Sequence, residues 1–147
     1  MNYDRILIVT DDSPSSLKAA KYGYDLAAKL NAKVALIGVI DEALATGNVD
    51  AGIFPEQAAH SLKKNMEELM HNIQRDYANG VGTEFFVPEG EVKETVLKMA
   101  REWDADLIVA GTHGRKGLNR LLMGSMAEGI LRDSKVPVFI VPIDGEH

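Results

Sequence analysis

Two stretches hold residues whose types and spacing suit anion chemistry. The longer runs Gly111-Thr112-His113-Gly114-Arg115-Lys116-Gly117 and on through Arg120 to Gly124-Ser125. An apolar run, Asp106 to Ala110, precedes it, and a helix-like segment from Ser125 to Arg132 follows. A buried strand thus opens into a glycine-rich loop that ends where a helix begins. Glycines admit φ > 0 and let backbone N–H groups approach a ligand closely. The unbonded N–H groups of the helix's first turn, with the dipole behind them, favour negative charge. Ser125 adds a hydroxyl there, and Arg115, Lys116 and Arg120 bring cations. The chemistry expected is binding of a phosphorylated ligand. A glycine-rich βα turn that merely reverses the chain is the competing reading. Neither G-x-x-x-x-G-K-[ST] nor G-x-G-x-x-G after the first strand is present.

The shorter stretch is Thr10-Asp11-Asp12-Ser13, at the end of the first apolar run. Carboxylates in such a place form turns and cap the following helix. Two readings stand for Asp11, turn former or ligand neighbour; Asp12 reads as a turn residue. Adjacent side chains on an extended segment point opposite ways, which disfavours a metal site built from the pair.

The elements that position these stretches follow from periodicity. Arg5 to Thr10 is a continuous apolar strand. Ser13-Pro14 is an N-cap and N1 pair, and Leu17, Ala20, Tyr24, Ala27 and Leu30 recur on one helical face as far as Asn31. Lys33 to Ile40 reads as the second strand, so the opening is a βαβ unit, parallel and right-handed. Residues 41–55 read as a flexible loop, either a lid or an insertion without a role. A helix is expected over Glu56–Tyr77 with Leu62, Met66, Leu69, Met70, Ile73 and Tyr77 inward, and His60 and His71 facing solvent. Thr83–Val87 is a strand, Pro88-Glu89-Gly90 a turn, and Glu91–Trp103 a helix with Trp103 in the core. Asp106–Ala110 is the fourth strand, Ser125–Arg132 a helix and Val136–Val141 the fifth strand. Pro137 and Pro142 make that last strand an edge, and an open apolar edge invites a second chain. Residues 144–147 read as a polar tail.

The chain of 147 residues reads as one domain, 1–147, with 46% hydrophobic and 26% charged residues. Cysteine is absent, which excludes disulfides, thiolate metal sites and a cysteine nucleophile. No run approaches a transmembrane helix and no signal peptide is visible, so a cytoplasmic location without membrane insertion is expected. A formal net charge of −6 argues against broad nucleic-acid binding.

The spacing Gly111-x2-Gly114-x9-Gly124-Ser125 resembles the nucleotide-binding signature of the universal stress protein family (UspA-like domain), in its ATP-binding branch. Ile6 to Ser13 looks like that family's first strand and T-D-x-S turn, and Val39-Ile40-Asp41, Asp106–Val109 and Val136–Val141 match later landmarks. The resemblance implies an α/β fold: an open five-stranded parallel sheet, order 3-2-1-4-5, with helices on both faces. This is the Rossmann-like, adenine nucleotide alpha hydrolase-like arrangement. It would bring Asp11 and Gly111 to one crevice at the switch point. It implies that Asp11 and Val39 lie at adenine with Thr10 nearby, and that Ala110 and Gly111 approach the nucleoside. Gly114, Gly124 and Ser125 would cradle phosphates, with Met126 and Ala127 presenting N–H groups. His113, Arg115 and Lys116 are read either as phosphate neighbours or as solvent-facing. Magnesium would arrive with ATP, held through phosphates and not by a protein cage. The resemblance also implies a homodimer through Val136–Val141. Lys116-Gly117 and Asp12 depart from the family pattern in the direction of weaker ATP affinity.

Hydrolysis needs a positioned water and charge stabilisation at the γ-phosphate. His113 and Asp12 are the groups that could contribute, but no dedicated base or arginine finger is identified, so no catalytic residue is assigned. The expectation is a nucleotide-dependent regulatory protein of the stress response, acting on a protein partner. The alternatives are a slow ATP hydrolase using the same crevice and a ligand-free dimeric interaction module.

Overall fold

The computed structural model describes residues 2–41, 52, 54–112 and 123–142. β1, Arg5–Val9, buries Ile6, Leu7 and Ile8 completely, as expected of a strand covered on both faces. α1, Pro14–Leu30, starts where the sequence places its cap: the Ser13 hydroxyl accepts the Ser16 N–H at 3.2 Å, and Pro14 takes the first turn, where its missing N–H costs nothing. Asn31 closes the helix in the left-handed region at φ 57°, a conformation asparagine tolerates. β2, Lys33–Ile37, then pairs in parallel with β1, completing the βαβ unit.

The second strand is shorter than its apolar run. It stops at Ile37, and a two-residue β3, Ile40–Asp41, pairs instead with β5, Glu89–Gly90. Gly38 stands at the break. The Met66 side chain from α2, Pro55–Ile73, lies directly on it and occupies the place of any side chain there. Backbone bonds bridge the break, Gly38 N–H to Phe86 C=O at 2.9 Å and Ile40 N–H to Pro88 C=O at 2.8 Å. Pro88–Gly90, expected as a turn, is therefore largely drawn into strand pairing.

α2 continues into a π-helical turn, Gln74–Ala78, before Asn79 ends it at φ 47°. β4, Thr83–Phe86, α3, Val92–Glu102, β6, Leu107–Gly111, α4, Ser125–Asp133, and β7, Val138–Val141, follow. The main sheet has the order β4-β2-β1-β6-β7 with every pairing parallel, which is 3-2-1-4-5 once the two-residue strands are set aside.

Alternation along the strands divides the core in two. Ile6, Ile8, Leu36 and Val109 face α1 and α2, packing on Ala20, Tyr24, Met70 and Ile73. Leu7, Val9, Ile37, Ile108 and Ala110 face α3 and α4, packing on Val96, Ala100 and Ile130. Trp103 joins the second cluster as expected, and its Nε1–H donates to Glu84 at 3.0 Å, so the buried indole keeps a partner. Among the described residues no helix is long and apolar enough to cross a membrane.

Candidate nucleotide site at the sheet's switch point

The sheet splits where the strand order reverses. β1 pairs with β2 as far as Val9↔Ile37 but with β6 only as far as Ile8↔Val109. β6 continues alongside β7 to Gly111↔Val141, and Thr112 N–H reaches Val141 C=O at 3.0 Å. Past Val109, β6 thus follows β7 and leaves β1. A crevice at such a point, outside the strand C-termini, is where open α/β sheets bind ligands.

Asp11 stands on the β1 side of this split. Its Oδ1 accepts the Ser13 N–H at 2.7 Å, and its own N–H donates to Ser16 Oγ at 2.8 Å. Ser16 Oγ in turn donates to Val9 C=O at 3.2 Å. The turn reading of Asp11 is therefore realised, and it fixes the carboxylate at the strand's end. The Ser13 N–H and the Ser16 hydroxyl do this fixing, a role the sequence reading did not give Ser16. The signal was there in Ser13-Pro14-Ser15-Ser16, a run of short hydroxyls able to bond the backbone of a tight turn.

Parity decides which sheet face each neighbour serves. Val9, Ala110 and the partly buried Val39 and Met126 all belong to the α3–α4 side. Thr10 and Gly111 turn the other way. Thr10 is 3% exposed and its hydroxyl donates to Ile8 C=O at 3.2 Å. A methyl group at Gly111 would lie 2.6 Å from both the carbonyl carbon and the Oγ of Ser15. The missing side chain of Gly111 is thus filled by the first turn of α1, so this glycine serves helix–strand packing.

α4 begins beside the end of β6. Gly124 N–H donates to Thr112 C=O at 2.6 Å, which holds the start of α4 to the end of β6. Gly124 is the N-cap at φ −64° and ψ 153° and offers no side-chain bond. The contrast with α1 is direct: Ser13 satisfies an orphan amide there, whereas Gly124 has no side chain with which to cap the first-turn amides of Ser125, Met126 and Ala127. Amides of this kind, backed by the helix dipole, are anion donors. Ser125 is exposed, Met126 half-buried and Ala127 buried. His113, Gly114, Arg115, Lys116 and Arg120 lie outside the described residues, as do positions 42–51 and 53 of the expected 41–55 loop.

Among the described residues no group of three or more His, Cys, Asp or Glu side chains could hold a metal ion. A cleft of about 550 Å³ between α1 and the π-helical turn, around Lys21, Tyr22, Arg75 and Tyr77, contains none of the expected site residues.

The universal stress protein family model matches residues 2–142. The chain belongs to this family. The universal stress protein MJ0531 of Methanocaldococcus jannaschii is 33% identical over 142 residues, covering 95% of this chain and 82% of its own. The solved structure of MJ0577, from the same organism, superposes with a TM-score of 0.87 at 26% identity, covering 99% of this universal stress protein and all of its own chain. Two more distant solved structures of the family carry adenine nucleotides. One is a universal stress protein in complex with cAMP, TM-score 0.67 and 24% identity over 98% of this chain and 100% of its own. The other is the Archaeoglobus fulgidus universal stress protein in complex with dAMP, TM-score 0.66 and 19% identity over 96% of this chain and 99% of its own.

Proposed function

We propose that this universal stress protein binds one adenine nucleotide per chain, ATP with magnesium, in the crevice between β1 and β6. The observation that carries the reading is the start of α4 at Gly124, an N-cap that offers no side-chain bond, set beside the end of β6 by the Gly124–Thr112 bond. First-turn amides behind a glycine N-cap, at the point where the sheet splits, are suited to phosphate. The cAMP and dAMP complexes of relatives support adenine as the base. Asp11 and Val39, with the backbone of Thr10, Ala110 and Gly111, would hold the nucleoside. The amides of Ser125, Met126 and Ala127, with Gly114 and Gly124, would hold the phosphates, and His113 and Arg115 would lie near them. Magnesium would bridge the phosphates with few protein ligands.

The protein then acts as a single-domain regulator whose nucleotide state is reported to a protein partner, as a homodimer through the edge at 136–141. Val138, Phe139 and Ile140 of β7 retain exposed surface, which supports that edge as the contact. Turnover is slow or absent, because no assigned residue positions water at the γ-phosphate.

Equilibrium titration of ATP and magnesium into wild type and Gly124→Val tests this reading. Gly124 has φ −64°, so valine meets no left-handed strain there, and circular dichroism establishes that the variant is folded. Saturable binding of one ATP per chain, lost in the folded variant, is the expected result. No wild-type binding at millimolar ATP, from protein free of resident nucleotide, overturns it in favour of a ligand-free module.

A further inference from the structure

α4 contains two residues that a helix would not choose for itself. Gly129 sits in its interior, where glycine costs up to about 1 kcal/mol against alanine. Asp133 is its last residue, where the negative end of the dipole opposes a carboxylate. One partner accounts for both. A methyl group at Gly129 would lie 2.5 Å from Cδ and 3.4 Å from Cγ of Lys93, so the lysine stem crosses α4 through the space the glycine leaves. Its Nζ then meets Asp133 Oδ2 at 2.8 Å. The hydrogen bond and charge of each partner act on the other, raising the Lys93 pKa and lowering that of Asp133. Arg132 Nε also lies 3.5 Å from Asp133 Oδ1.

The near end of this crossing is anchored. Lys93 N–H donates to Glu91 Oε2 at 3.1 Å, within the cap of α3. Glu91 directly follows Gly90, which pairs with Asp41 of β3. Val39 adjoins that strand. The crossing therefore links the element beside Val39 to the helix whose first turn carries Ser125, Met126 and Ala127.

We propose that Lys93, laid across Gly129 to Asp133, is a positioning residue that sets where the first turn of α4 stands relative to Val39. It thereby governs how well one ligand can use both walls of the crevice. This consequence for binding rests on the nucleotide reading above; the effect on α4 itself does not.

The test uses Lys93→Met, which keeps the stem and removes the charge, Asp133→Asn, their combination, Gly129→Leu, which denies the stem its passage, and Lys93→Arg. Circular dichroism establishes that each variant is folded. Two readouts are taken: affinities for ATP and for adenosine, and amide hydrogen exchange along α4 in the ligand-free protein. Lys93→Met should weaken ATP roughly threefold, the scale of an exposed ion pair, with adenosine unchanged. The double variant should be no worse than either single one, and Lys93→Arg should retain wild-type binding. Exchange at residues 129–133 should quicken in Lys93→Met, Asp133→Asn and Gly129→Leu, with α1 unaltered. Equal weakening of ATP and adenosine, or no change in either, overturns the positioning role. Absence of ATP binding by wild type overturns the nucleotide reading instead; exchange then decides the crossing alone, and unaltered exchange across α4 sinks it. If Gly129→Leu fails to fold, the Lys93 and Asp133 variants carry the same decision.

Discussion

Gly111 has no side chain because Ser15 occupies the place one would take: a methyl there would lie 2.6 Å from the Ser15 carbonyl carbon and 2.7 Å from its carbonyl oxygen. Backbone atoms cannot swing aside as a flexible side chain can. The last residue of β6 and the first turn of α1 are thus locked together.

Gly111→Ala should therefore destabilise the fold by about 1–3 kcal/mol, the scale of overpacking a tight contact. Urea denaturation measures it. A stability within experimental error of wild type would show that the α1–β6 contact yields easily.

Ser13→Ala removes the N-cap of α1 and the partner of the Ser16 N–H. The expected loss is about 1 kcal/mol, again by urea denaturation. Ser13 N–H still holds Asp11 Oδ1 in this variant, so ATP affinity should fall less than in Asp11→Ala.

Tyr24 is 1% exposed, and its hydroxyl shares a 2.9 Å hydrogen bond with Thr83 Oγ1. Burial raises the phenol's pKa above its ordinary 10.0, with the Thr83 bond acting in the opposite direction. The folded state keeps this proton at pH values where the unfolded chain has released it, so stability falls as pH rises. That contribution is whole below pH 10 and is lost as pH climbs through the raised folded-state value. Tyr24→Phe should cost roughly 1 kcal/mol at pH 8, and the gap from wild type should shrink above pH 10. Urea denaturation of both proteins from pH 8 to 11 checks the trend, and a constant gap contradicts it.

Phe139 on β7 is 40% exposed, with Val138 and Ile140 half-buried beside it. Phe139→Lys places a charge on the edge strand and should convert a dimer to monomer in sedimentation equilibrium. A wild type that is monomeric at high concentration, or a variant that stays dimeric, removes this edge as the contact.

Local signals in the sequence located much of the fold. Ser13-Pro14 marked the start of α1 and Asn31 its end, because caps depend on neighbouring residues alone. The order of strands came from the family resemblance, since apolar runs say nothing about which strand lies beside which. The break at Gly38 was hidden because the pairings on either side of it, with Phe86 and Pro88, come from far along the chain. Pro88–Gly90 looked like a turn for the same reason: its pairing partner is the distant β3. The π-helical turn left no trace in an apolar stripe that ran smoothly through Met70, Ile73 and Tyr77. His71 is exposed as read, yet its ring meets Phe85 edge-on at 4.8 Å, a contact no local pattern announces.

At the candidate site, types and spacing located the start of α4 at Ser125 and the turn at Asp11. They could not separate ligand-facing from packing glycines. Gly111 and Gly124 look alike in sequence, but one accommodates Ser15 and the other opens a helix terminus. Gly129 went unread because its partner, Lys93, reaches it from another helix.

The most direct measurement is a titration of ATP and magnesium into the labelled protein, following backbone amide resonances. Binding across the crevice predicts concerted shifts at Asp11, Val39 and Ala110 and at Ser125, Met126 and Ala127, saturating at one nucleotide per chain. Shifts confined to the cleft around Lys21 and Arg75, or no saturable shift at millimolar ATP, would contradict the account.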